Sequence, residues 1–119
     1  MPKNDKTASI LQHIEFYCKE IKATIQRYGD NLDTFLKDRD YQRSVCLSLI
    51  QIGELAKGLS PEFRQQENNI PWKQICGLHD IVVHTYGDLD FEEIFKTVHQ
   101  NVDDLLKFCV ERTAGNFAT

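Results

Sequence analysis

Glycine and proline are scarce: 6 and 3 among 119 residues. That is too few for a low-complexity or collagen-like chain, and too few for the many turns of an all-β domain. No apolar run approaches the roughly 20 residues needed to cross a bilayer, so no membrane partner is expected. Positive charge is in deficit, with 14 Lys+Arg against 18 Asp+Glu and a net charge of −4. This argues against a duplex-DNA binder that relies on neutralising phosphates. It leaves room for an enzyme that touches RNA through a locally basic groove. The opening MPKNDKTASI lacks the charged-then-apolar layout of a secretory signal, and a cytoplasmic location is expected. The four cysteines, Cys18, Cys46, Cys76 and Cys109, show no C-x-x-C or Cys/His spacing of a zinc site. They read as reduced, mostly buried thiols.

What is present is helical periodicity. With 41% hydrophobic and 27% charged residues, the chain reads as one domain over residues 1–119, with frayed ends at 1–6 and 113–119. Ile10, Ile14, Tyr17, Cys18, Ile21, Ile25 and Tyr28 recur at three- and four-residue steps, which predicts a first helix over about 7–28. Gly29-Asp30-Asn31 stops it. Tyr41, Val45, Cys46, Leu49, Ile52, Leu55, Ala56 and Leu59 mark a second over about 40–59. Ser60-Pro61 opens a short third, as N-cap and first helical residue. Ile70-Pro71-Trp72 starts a fourth that passes through Ile75, Leu78, Val82 and Val83. Asp90 and Glu93 form a capping-box pattern ahead of the last helix. That helix carries Phe91, Ile94, Phe95, Val98, Val102, Leu105, Leu106, Cys109 and Val110. Short connections make this an all-α, compact antiparallel bundle of about five helices.

One segment concentrates chemistry: Gly77-Leu78-His79-Asp80-Ile81-Val82-Val83-His84-Thr85-Tyr86-Gly87. Asp80 and His84 stand four apart, so the carboxylate can bond the imidazole and select its tautomer. His79 lies five residues from His84, about 140° around an ideal helix. Either the helix breaks before His84, or a second copy of the chain supplies the missing half of the site. A metal site is disfavoured, because helical histidine ligands favour i,i+4 spacing and no third ligand lies nearby. Gly53-Glu54 inside an apolar helix reads as a close helix approach, with Glu54 at a rim, a dimer interface or the cleft. Lys37, Arg39 and Arg43 cluster around the start of the second helix, which fits either a solvated face or contacts to RNA phosphates. Trp72 reads as a core anchor.

Several landmarks occur in order: Asp40-Tyr41-Gln42-Arg43-Ser44-Val45, Ile52-Gly53-Glu54-Leu55, Ile70-Pro71-Trp72, His84-Thr85-Tyr86 and Asp90. On these the chain resembles the HEPN superfamily, specifically the HepT-like toxins of MNT–HEPN toxin–antitoxin modules. The resemblance implies an all-α HEPN bundle and a metal-independent endoribonuclease without cofactor. It also implies a homodimer with a composite cleft, RNA (structured or transfer RNA) as substrate, and an MNT-type nucleotidyltransferase antitoxin as partner. The family motif is an arginine, a polar residue, a few more residues, then His-x-Tyr. It maps Asp80, His84 and Tyr86 onto the polar residue, the histidine and the tyrosine. His79 occupies the arginine position, a departure from the pattern. His84, His79 and Asp80 are the implied catalytic residues, and Tyr86 is the implied site of AMPylation by the partner. An alternative is a catalytically impaired HEPN partner that binds the nucleotidyltransferase and is modified by it.

Overall fold

The apolar stripes read from the chain become the inward faces of six α-helices among the described residues, with no strand. The computed structural model describes residues 2–84 and 90–117. The helices are α1 (Pro2–Tyr28), α2 (Leu32–Lys37), α3 (Arg39–Lys57), α4 (Pro61–Gln66), α5 (Trp72–His84) and α6 (Phe91–Phe117). The two 27-residue helices, about 40 Å each at 1.5 Å per residue, set the 46 Å long axis.

α1 is the spine, packed against both α3 and α6. Tyr28 stacks on Tyr41, Thr24 meets Ser44, and Ile10 lies beside Gly58, so α1 and α3 run antiparallel. Lys22 pairs with Asp103, and Thr113 bonds Glu15 at 3.3 Å, so α6 is antiparallel to α1 as well. Ile14, Cys18, Ile21, Val45, Leu49, Ile52, Val98, Val102 and Leu105 fill the space between them. Each aliphatic side chain among them stabilises the fold by roughly 1.5–3 kcal/mol relative to exposure.

The caps anticipated from the sequence are made. The Ser60 hydroxyl accepts from Phe63 N–H at 3.1 Å, with Pro61 opening α4. The Asp90 carboxylate accepts from Glu93 N–H at 3.1 Å. Trp72 is buried, donates its indole N–H to the Glu67 carbonyl at 2.9 Å, and packs edge-on against Phe108 and Phe63.

Two readings change. A sixth helix, α2, follows the stop at Gly29, where φ is +110°. Asn31 caps it by accepting from Thr34 N–H at 3.1 Å, and Phe35 is wholly buried among Tyr41, Phe91 and Phe95. Val110, placed on the inward stripe of the last helix, is 41% exposed, while Phe108 is buried in its stead. α1 begins at Pro2 and α6 reaches Phe117. Thr113 is buried, with its hydroxyl on the Cys109 carbonyl.

Candidate active site

The site begins with a missing side chain. A Cβ at Gly53, mid-way along α3, would lie 2.9 Å from the His79 backbone nitrogen, 3.0 Å from its Cβ and 3.1 Å from the Ile75 carbonyl oxygen. Only glycine lets α5 cross α3 this closely. That explains a residue that costs a helix interior roughly 1 kcal/mol by propensity.

The crossing brings α3's next outward residues, Glu54 and Lys57, against His79 and Asp80 on α5. The Glu54 carboxylate lies 3.1 Å from His79 Nε2. Asp80 Oδ1 lies 3.3 Å from His79 Nδ1 and 3.2 Å from Lys57 Nζ. Lys57 Nζ is 3.6 Å from Glu54. The four groups form a closed square of alternating charge, with the imidazole as one corner. A doubly protonated ring donates to both carboxylates, whereas a neutral ring has one N–H and can donate to only one. Hydrogen bonding from His79, then from Lys57, holds the Asp80 carboxyl below its ordinary range. The Asp80 contact in turn raises the Lys57 ammonium above the usual lysine value. His79 is the most enclosed corner, with 24% of its side chain exposed, against 38% for Lys57, 52% for Glu54 and 60% for Asp80.

α5 is helical without interruption from Trp72 to His84, so the chain does not break before His84. Residues 79 and 84 therefore stand about 140° apart around one axis. The described partners of Asp80 are His79 and Lys57. The pairing expected with His84 falls on a side chain outside the described ones, and Tyr86 lies outside the described residues altogether. Arg39 and Arg43 are exposed on the first turns of α3, with Arg43 3.7 Å from Asp40. At 1.5 Å per residue they stand about 21 and 15 Å along the helix from Gly53. The structure does not bring them to His79.

Lys57 is the residue that sequence reading missed. Its signal was present, because Glu54 and Lys57 are three apart and share one face of α3. What the sequence does not display is that Asp80 lies opposite. A separate groove of about 690 Å³ runs between α5 and α6, lined by Ile75, Leu78, Val98, Val102 and neighbours. Its lining includes none of Glu54, Lys57, His79 or Asp80.

The four cysteines are free thiols; Cys18, Cys46 and Cys109 are buried and Cys76 is partly exposed. Burial pushes the Cys46 thiol up to about 11, and burial with the nearby Glu15 pushes Cys109 up to about 12. Among the described residues no group of three or more His, Cys, Asp or Glu is arranged to hold a metal ion. No helix is long and apolar enough to cross a membrane there.

Comparison with known proteins identifies the family of the chain. The family described as Ribonuclease HepT-like matches residues 14–112. A protein of Caldanaerobacter subterraneus subsp. tengcongensis that is named as an RNase is 34% identical over 98 residues, 82% of each chain. One of Methanocaldococcus jannaschii, also named as an RNase, is 33% identical over 108 residues, 90% of this chain and 86% of its own. A relative from Thermococcus cleftensis that carries the name ribonuclease HepT is 30% identical over 73 residues, 61% of this chain and 66% of its own. No solved structure matches the chain. The family match spans most of the chain and the Caldanaerobacter relative is 34% identical over 82% of each chain, so the chain belongs to the HepT-like ribonuclease family.

Proposed function

We propose that the chain is a metal-independent endoribonuclease and the toxin of a toxin–antitoxin pair, with its catalytic centre at the C-terminal half of α5. The observation that carries this reading is the charged square between α3 and α5, whose α5 corners lie about one turn before His84, in a chain of the HepT-like ribonuclease family.

Cleavage of RNA without a metal starts with attack of a 2′-hydroxyl on its adjacent phosphate. The hydroxyl proton passes to a base, the 5′-oxygen leaves with a proton from an acid, and a 2′,3′-cyclic phosphate remains. His84 suits these transfers, because an ordinary imidazole exchanges protons near neutral pH. Asp80, kept ionised by His79 and Lys57, fixes the polar side of α5. With α5 unbroken, one chain does not bring residues 79 and 84 onto a single reacting atom. The reading therefore places the cleft between two copies in a homodimer. An MNT-type nucleotidyltransferase would neutralise it by attaching AMP to Tyr86, adding bulk and negative charge that repel RNA phosphate. The pair would act in the cytoplasm.

The test is cleavage of transfer RNA by the purified chain, compared with His84→Ala. Loss of proton transfer lowers the rate roughly 10²–10⁴-fold. Undiminished cleavage by the variant removes His84 from the mechanism.

A second reading is favoured by His79 itself. Both of its ring nitrogens face carboxylates, so the ring does not offer phosphate the free planar fork of an arginine. On this reading the chain is a catalytically impaired partner of the nucleotidyltransferase, and Tyr86 is its functional residue. Intact mass after incubation with that partner and ATP would show one added AMP. A Tyr86→Phe variant that still gains the mass would refute the site.

A further inference from the structure

We propose that Lys57 is the phosphate-binding cation of this site, with Glu54 and Asp80 holding His79 as a positioning residue beside it; the proposal rests on the ribonuclease reading. Attack on a phosphodiester requires positive charge near the non-bridging oxygens. In the described part of the cluster only two groups can supply it. His79 is committed on both sides, with Glu54 at 3.1 Å from Nε2 and Asp80 at 3.3 Å from Nδ1. Neither ring nitrogen is left to meet an anion.

Lys57 is placed differently. Its ammonium has three N–H donors. One reaches Asp80 at 3.2 Å, while Glu54 at 3.6 Å lies beyond hydrogen-bonding distance. The head group is partly open to solvent at the rim of the α3–α5 crossing. Its charge does not depend on the protonation of His79, because contact with Asp80 raises its proton affinity further. The stem rises from the last turn of α3, where the helix dipole also favours a cation.

Charge at the square makes the same point. Leaving His79 aside, the two carboxylates and one ammonium sum to a single negative charge. Without Lys57 they would sum to two, and RNA phosphate would be repelled from the residues flanking His84. Lys57 therefore both cancels an acidic neighbour and presents donors outward. These are separable effects.

The experiment is binding of a short fluorescein-labelled 2′-O-methyl RNA, which lacks the attacking hydroxyl, followed by anisotropy across a salt series. Lys57→Met is expected to weaken binding roughly tenfold and to lower the slope of log affinity against log salt by about 0.7, the value for one single-strand phosphate contact. Lys57→Arg is expected to keep both. The double variant Lys57→Met/Asp80→Asn separates the two effects. A phosphate-binding Lys57 leaves it weak, because the donor is still gone. If neutralising Asp80 restores wild-type affinity, Lys57 serves only to tie Asp80, and the proposal is overturned. It is also overturned if Lys57→Met binds with unchanged affinity and slope. Wild-type chain that cleaves RNA while Lys57→Met binds normally sinks this inference alone. Wild-type chain that neither binds nor cleaves RNA sinks the ribonuclease reading with it.

Discussion

Replacing Gly53 with alanine is the sharpest mechanical test of the site. The added methyl would sit 2.9 Å from the His79 backbone nitrogen and 3.1 Å from the Ile75 carbonyl oxygen. Both are helix backbone, so neither can turn aside. Ordinary contact requires α5 to retreat by about half an ångström. Overpacking of this kind costs about 1–3 kcal/mol, and removing a mid-helix glycine returns roughly 1 kcal/mol. The net expectation is a loss of about 1 kcal/mol, or roughly 4 °C in Tm for a chain of this size. The displacement carries His79 and Asp80 away from Glu54 and Lys57. Since misplacement by 1 Å costs on the order of 10²-fold in rate, half of that implies roughly tenfold slower RNA cleavage. Gly77→Ala, on the same helix, is the control. A Cβ there meets nothing within 4 Å, so propensity alone acts and the variant gains up to about 1 kcal/mol. Thermal melts by circular dichroism and a cleavage assay on both variants decide the matter. If Gly53→Ala melts at or above the wild-type temperature, α5 does not press on α3 at Gly53, and the geometric account of the site fails.

Other expectations concern the frame around the site. Burial opposes protonation of His99, but its bonds to the Phe95 carbonyl and to Asp30 outweigh that and raise its proton affinity above the ordinary histidine value. Its stabilising contribution is therefore complete below about pH 6.5 and fades as pH rises through the elevated folded value. Asp30→Asn should flatten that part of a plot of stability against pH, and an unchanged slope would assign it elsewhere. Tyr41→Phe removes a hydroxyl that donates to the Gly29 carbonyl at 3.0 Å. Chemical denaturation should show a loss of about 1 kcal/mol, and a neutral result would mean the carbonyl finds another donor. Under native conditions Cys76 should react with an aromatic disulfide reagent well before the three buried thiols. Four equal rates would contradict the packing described.

The long helices were legible because a stripe sustained over several turns admits one inward face, as Ile14, Cys18 and Ile21 show at zero exposure. α2 was not. Six residues are too short for periodicity to register, and Asn31 serves both as the end of one turn and as the cap of the next helix. Val110 and Phe108 exchanged roles because Phe108 is drawn inward by Trp72 and Phe63, partners more than thirty residues away in sequence. At the site, Gly53 was readable as a close approach, since a glycine in an apolar helix needs a packing reason. The pairing of Lys57 with Asp80 was not readable, because the two are 23 residues apart and meet only after α5 has crossed α3.

The chemistry of the RNA ends tests the catalytic assignment most directly. Wild-type chain and His84→Ala, each incubated with transfer RNA in the presence of a chelator, should be compared by mass spectrometry of the fragments. Attack by the 2′-hydroxyl leaves 2′,3′-cyclic phosphate and 5′-hydroxyl termini from the wild type and almost none from the variant. Termini carrying 3′-hydroxyl and 5′-phosphate, or the same fragments from His84→Ala, would contradict it.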